Sequence, residues 1–216
     1  GKMIYLQKRA DKELITIDSA MMQNNLVNFV VETSDIAAHY YVRIQGMRFP
    51  ISFFSENKDI LISGDFKDDR NIIANGSDAQ QLINDYNAEM KNFSNQSKEL
   101  FEKYEIASKK NDETAIQAIE SEYEQVEKNQ TTYQNLFLTK NSNSFVAPYI
   151  LYNNRYNYEL NELEDFVNNF NIKEENIYSK LLDEYIAALQ RVDIGQPYLD
   201  FTQETPEGYL LSLSEL

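Results

Sequence analysis

The chain contains no cysteine and no tryptophan, and only one histidine, four prolines and six glycines in 216 residues. Without cysteine there is no disulfide framework, no thiolate nucleophile and no thiolate zinc site, so the chain itself cannot carry out thiol chemistry. With His39 as the sole histidine, a histidine metal cluster is excluded, and any Ser-His-Asp reading would have to be built on that one residue. It sits in a strand-like run beside Tyr40 and Tyr41, so a structural or surface role is expected. Basic residues are scarce relative to acids, 20 against 35, and the resulting charge of −15 repels phosphate backbones and anionic lipid, which excludes nucleic acid as a partner. No apolar run reaches the ~18 residues of a membrane span. The opening Gly1-Lys2-Met3-Ile4-Tyr5-Leu6 lacks the apolar stretch of a signal peptide, so any export signal is expected to have been removed. Neither GxGxxG nor a P-loop is present, and Gly64, Gly76, Gly195 and Gly208 read as isolated turn glycines, which leaves nucleotide binding unsupported. No cofactor, metal or catalytic residue is assigned.

What is present is an ordinary folded composition, 42% apolar and 25% charged. The length fits one large domain or two small ones. From Met3 to Ala74 the pattern alternates with period two and is rich in β-branched and aromatic residues, which predicts strands. These are Met3 to Gln7, Leu14 to Asp18, Leu26 to Glu32, His39 to Gln45, Ile51 to Phe54, Ile60 to Gly64 and a last one near Asn71 to Ala74. Turn residues punctuate them at Asp11, Asn24-Asn25, Ser34-Asp35 and Asn57-Lys58-Asp59, the chemistry of an antiparallel meander or sandwich.

At Gly76-Ser77 the period changes. Ser77 can cap a helix, with Gln80 three residues on as in a capping box. An apolar stripe then runs through Leu82, Tyr86, Met90, Phe93, Leu100 and Tyr104. After Lys109-Lys110-Asn111-Asp112 it resumes through Ile116, Ile119, Tyr123, Val126, Tyr133 and Phe137. Alternating steps of three and four predict the seam of two antiparallel helices, each ~40 Å long, whose narrow stripe leaves much of an arm-like hairpin wet. Asn141-Ser142-Asn143-Ser144 ends that pattern. Shorter helices follow from Phe145 to Tyr152, with Pro148 near the first turn, and over Leu160 to Phe170. A final, wider stripe through Ile177, Leu181, Leu182, Tyr185, Ile186 and Leu189 ends near Val192. The expected fold class is α+β: an antiparallel, sandwich-like β domain over residues 1–76 and a helical domain over 77–191.

Two stretches resemble a known family. Met3-Ile4-Tyr5-Leu6, Ile17-Asp18-Ser19-Ala20, Phe53-Phe54-Ser55-Glu56-Asn57 with Ile60 to Gly64, and the closing Gly76-Ser77 resemble the uncharacterised domain that precedes a thioredoxin-like domain in Gram-negative envelope proteins. Ile194-Gly195-Gln196-Pro197, Asp200-Phe201-Thr202, Pro206-Glu207-Gly208 and Leu211 to Leu216 resemble the hairpin that enters a thioredoxin-like domain in peroxiredoxin-type and cytochrome-maturation reductases. Leu199 stands where that family usually has Pro, and the family's β domain usually opens with one more strand. The resemblance covers residues 1 to about 77 and 192–216, and the helical middle matches only in kind. It implies an envelope thiol-disulfide oxidoreductase in which this chain is an N-terminal, non-catalytic accessory region. Residues 192–216 would then be the linker and entry segment of a thioredoxin-like domain in cis whose CxxC helix lies beyond Leu216. The same resemblance implies a periplasmic or envelope location, a membrane anchor in the full-length protein and a protein client. A homodimer through the helical hairpin is a further expectation from its long seam.

Glu120, Glu122 and Glu124, or Glu162, Glu164 and Asp165, fall on polar helix faces and read as solvated surface rather than as a glycosidase acid/base pair. Asp65, Asp68 and Asp69 lack the EF-hand spacing and read as an acidic turn. Tyr149, Tyr152, Tyr156 and Tyr158 crowd one stretch and form the candidate partner surface, with helical packing the competing account of Tyr149 and Tyr152. A stand-alone binding protein for a glycan or peptide, using that region or the β face, is the alternative function.

Overall fold

The computed structural model describes residues 1–10, 13–31, 37–65, 72–172, 176–198 and 200–215. The turn residues Asp11, Ser34 and Asp35, together with Glu32, Asp68, Asp69, Asn71, Leu199 and Leu216, lie outside the described residues. The fold is α+β. Strands β1 (Met3–Ala10), β2 (Glu13–Met21), β3 (Ala38–Ile44) and β4 (Ile51–Ser55) form an antiparallel sheet in the order β2-β1-β3-β4. A second ribbon pairs β5 (Leu61–Ser63) with β6 (Ile73–Asn75).

Alternation divides the sheet between two cores. Ile4 and Leu6 of β1, Tyr40, Val42 and Ile44 of β3 and Phe53 of β4 share one face with Ala74, against which Val27, Phe29, Val31, Ile60 and Ile62 pack. The other face carries Gln7, Arg9, His39, Tyr41 and Phe54. On β1 and β2 the register slips after Leu6, which pairs with Asp18 while Gln7 pairs with Thr16. Ile17 is the extra residue of this bulge, and Gln7 Nε2 donates to Thr16 Oγ1 at 3.2 Å.

One expected strand is absent. Residues 26–31 hold no strand, only an isolated bridge from Gln23 to Leu26 around Asn24 and Asn25, both at positive φ (50° and 62°). The alternation that suggested a strand is real, since Val27, Phe29 and Val31 face the core while Val30 is exposed. Burial on one side sets that alternation, and it does not require a hydrogen-bonded neighbour.

Helix α1 (Asp78–Lys110) begins at the edge of the sheet. Ser77 caps it, accepting from the Gln80 N–H at 3.0 Å while its own hydroxyl donates to the Phe54 carbonyl at 2.8 Å. The Gln80 side chain does not close the expected capping box. It accepts from the Phe54 N–H at 2.7 Å and donates to Asn84 Oδ1 at 2.8 Å. The start of α1 thus satisfies both main-chain groups of Phe54, which face outward from an edge strand. Gly76, at φ 140°, permits the approach, because a Cβ there would collide with the Asp59 carbonyl. Ser77→Ala removes the cap and leaves a buried carbonyl unpaired, so it is expected to cost about 2–3 kcal/mol in urea denaturation. A loss below about 1 kcal/mol would show that this clamp contributes little.

Asn111, in the left-handed region at φ 53°, ends α1, and Asp112 caps α2 (Glu113–Lys140) by accepting from Ala115 N–H at 3.1 Å. Tyr86 meets Phe137, Phe93 meets Tyr133, and Leu100 clusters with Val126, so contacts advance along α1 as they retreat along α2. Of the predicted stripe, Tyr104 and Tyr123 are exposed.

Helices α3 (Val146–Asn154), α4 (Leu160–Asn169) and α5 (Ile177–Arg191) complete the larger core. Val146, Ala147, Ile150 and Leu151 of α3 are wholly buried among Ile83, Tyr86, Leu138, Leu163, Leu182 and Ile186. A final ribbon joins β7 (Thr202–Glu204) to β8 (Leu210–Ser212). Among the described residues, no helix is long and apolar enough to cross a membrane.

Candidate functional site

The strand alternation that sends Tyr40 and Phe53 into the β core turns His39, Tyr41 and Phe54 toward the helices. His39 is only 3% exposed. Its ring stacks on Phe54 with centroids 4.3 Å apart and meets the edge of Tyr149 from α3 at 4.9 Å. Its Nδ1 is hydrogen-bonded to the hydroxyl of Tyr178 on α5, and the Tyr41 hydroxyl lies 3.2 Å from the same nitrogen. Nε2 finds no hydrogen-bond partner among the described residues. Burial first, and the Arg9 cation second, push the His39 pKa down to about 3, so the imidazole is neutral across the physiological range. Burial likewise raises the phenols of Tyr149 and Tyr178 above their ordinary value. Among the described residues, neither ring nitrogen of His39 is engaged by a serine or an aspartate. The arrangement is a buried polar joint between sheet and helices.

The four tyrosines of the candidate partner surface divide. Tyr149 points into this joint, packed on His39, Phe54 and Tyr178. Tyr158 packs on Phe166 and donates to Asn135 Oδ1 at 3.0 Å, and burial pushes its pKa up to about 12. Tyr152 and Tyr156 remain together by flanking Arg155, whose guanidinium lies 4.2 Å from each ring centroid and 5.2 Å from Tyr185. Arg155 donates to the Tyr152 carbonyl and to the Tyr156 hydroxyl, both at 2.6 Å. Of this group Tyr156 is exposed, while Tyr152, Arg155 and Tyr185 are half-buried, with Tyr152 and Tyr185 packed against the larger core. Arg155 was visible in the sequence as a cation between two tyrosines four apart, while Tyr185 was absorbed into the buried stripe of its helix.

Among the carboxylates, Glu162 completes a capping box with Glu159, and Glu164 accepts from Gln190 Nε2 at 2.6 Å. Among the described residues, no three metal-capable side chains converge.

The β7–β8 ribbon is the third place of interest. It is closed on itself: Thr202 and Ser212 hydroxyls lie 2.8 Å apart, Leu213 N–H donates to the Phe201 carbonyl at 3.0 Å, and Asp200 accepts from both the N–H and the hydroxyl of Ser214 at 2.9 and 2.7 Å. Those bonds hold the Asp200 carboxyl below its ordinary pKa. Its apolar side chains are left open. Ile194, Tyr198, Phe201, Tyr209 and Leu210 are all exposed, and Phe201, Pro206, Leu211 and Leu213 line an open groove of about 640 Å³ with Thr205. No protein-family model, no curated protein and no solved structure matches this chain.

Proposed function

We propose that this chain is the non-catalytic accessory region of an envelope thiol-disulfide oxidoreductase, positioning a thioredoxin-like redox domain in cis or holding its client. The observation that carries the reading is the C-terminal ribbon. It is ordered by its own hydrogen bonds, yet presents Phe201, Tyr209 and Leu210 to solvent, as an entry segment does when its apolar side belongs against a following domain. In this reading β5–β6 and residues 22–31 form the second layer of a sandwich-like β domain, and α1 with α2 form an antiparallel hairpin arm. The protein is anchored in the envelope through a segment preceding Lys2, and the cysteines that do the chemistry stand at a helix N-terminus beyond Leu216.

The test is to read the natural coding sequence past Leu216 and assay its full-length product for dithiol-driven disulfide reduction. A strand leading into CxxC, with activity that vanishes when those cysteines become serine, is the expected result. A stop codon after Leu216, or a following domain without paired cysteines, overturns it. A binding module for a glycan or peptide is the second reading, and the exposed Tyr156 ring beside the Arg155 guanidinium favours it.

A further inference from the structure

The outer halves of α1 and α2 carry apolar side chains that their mutual seam does not cover. Phe101 is 60% exposed, Tyr104 37% and Tyr123 40%. Leu100 and Val126 pack together and fix which side of each helix faces its partner. Advancing about 100° per residue from these anchors places Phe101 and Tyr104 of α1, and Ile116 and Tyr123 of α2, on one flank of the pair. Along the outer border of that flank run Glu113, Glu120 and Glu127, seven residues apart, all exposed and, among the described residues, with no ion-pair or hydrogen-bond partner. An apolar stripe bordered by one charge sign at heptad spacing is the seat of a further helix in a coiled coil, with the border setting partner choice.

We infer that this flank is a docking surface for a basic amphipathic helix of another polypeptide. Such a helix would insert apolar residues between Phe101, Tyr104, Ile116 and Tyr123 and set Lys or Arg, recurring every seven residues, beside the three glutamates. Charge selects this occupant over a second copy. Two copies each bring −15, and face-to-face pairing sets the glutamate row against its own duplicate or against the α1 border that carries Glu105. The inference rests on α1 and α2 alone and stands whether or not a redox domain follows the ribbon.

The experiment uses the intact chain and a dye-labelled synthetic four-heptad helix with Leu at its a and d positions and Lys at e and g, followed by fluorescence anisotropy. Binding that weakens with salt is expected. The triple reversal Glu113→Lys, Glu120→Lys, Glu127→Lys should loosen it at least about tenfold. The control reversal Asp85→Lys, Glu99→Lys, Glu122→Lys makes the same change in net charge on the opposite flank and should loosen it less than about threefold. A matching helix with Glu at e and g should bind the first triple variant in preference to the native chain. Phe101→Ser with Tyr123→Ser should weaken binding while circular dichroism stays unchanged. Equal losses for the two triple variants would reduce the effect to unspecific charge attraction and overturn the inference, as would no binding. A free protein that sediments as a dimer and becomes a monomer on Phe101→Ser would make a second copy the occupant, which also overturns it.

Discussion

Phe54→Ala is expected to lower the unfolding free energy by about 3–5 kcal/mol, the largest loss of any single side chain at the joint between sheet and helices. The ring is 2% exposed and fills the space between His39, Tyr149 and Phe145, at centroid distances of 4.3, 5.1 and 6.1 Å. The site is poorly able to collapse. Both main-chain groups of Phe54 are clamped by Ser77 and Gln80, and the imidazole that stacks on the ring is itself held by Tyr178. The truncation therefore leaves a cavity beside His39 Nε2, which finds no partner among the described residues. Urea denaturation followed by tyrosine fluorescence and by far-ultraviolet circular dichroism checks it. Coincident transitions shifted to lower urea are expected if the joint couples the sheet to the helices, whereas a loss below about 1 kcal/mol would mean that the two cores are stabilised separately. Phe54→Leu, which keeps most of the volume, should cost about 1–2 kcal/mol.

How much of this was legible in the sequence follows from the range of each interaction. Alternation in β1, β3 and β4 and the switch of period at Ser77 are local, and they located those strands and the start of α1. Residues 26–31 misled because alternation reports one-sided burial, and their lack of a ladder partner depends on where other strands lie. Gln80 misled for a similar reason: its spacing from Ser77 fits a capping box, yet Phe54, 26 residues earlier, offers it an unpaired edge N–H. The joint was out of reach altogether. His39 and Tyr178 are 139 residues apart, and neither the strand pattern around the one nor the helical stripe around the other indicates that they meet. The tyrosine cluster was half legible, since composition flagged four residues that packing then distributed between interior and surface.

Acidification tests the joint by another route. The His39 pKa in the folded chain is about 3, well below the ordinary value of 6.5. Above pH 6.5 neither folded nor unfolded chain carries this proton, and the full stability is present. As the pH falls below 6.5 the unfolded chain takes up the proton and the folded chain does not, so stability is lost at up to about 1.4 kcal/mol per pH unit until the pH reaches the folded value. Over the whole window the loss is about 4 kcal/mol. The groups that bear on the ring from the packed elements are Arg9 on β1, Tyr41 beside it on β3, Tyr149 on α3 and Tyr178 on α5, and none of them is a carboxylate able to reward protonation. His39→Gln keeps a hydrogen-bonding group for Tyr178 and removes the titration. At neutral pH the variant should be the less stable protein, because an amide stacks poorly on Phe54. Between about pH 6.5 and 5 the gap should close by about 2 kcal/mol, while the contributions of the many carboxylates cancel in the comparison. A gap that stays constant with pH would mean that the imidazole accepts its proton within the fold and that the joint is open to solvent.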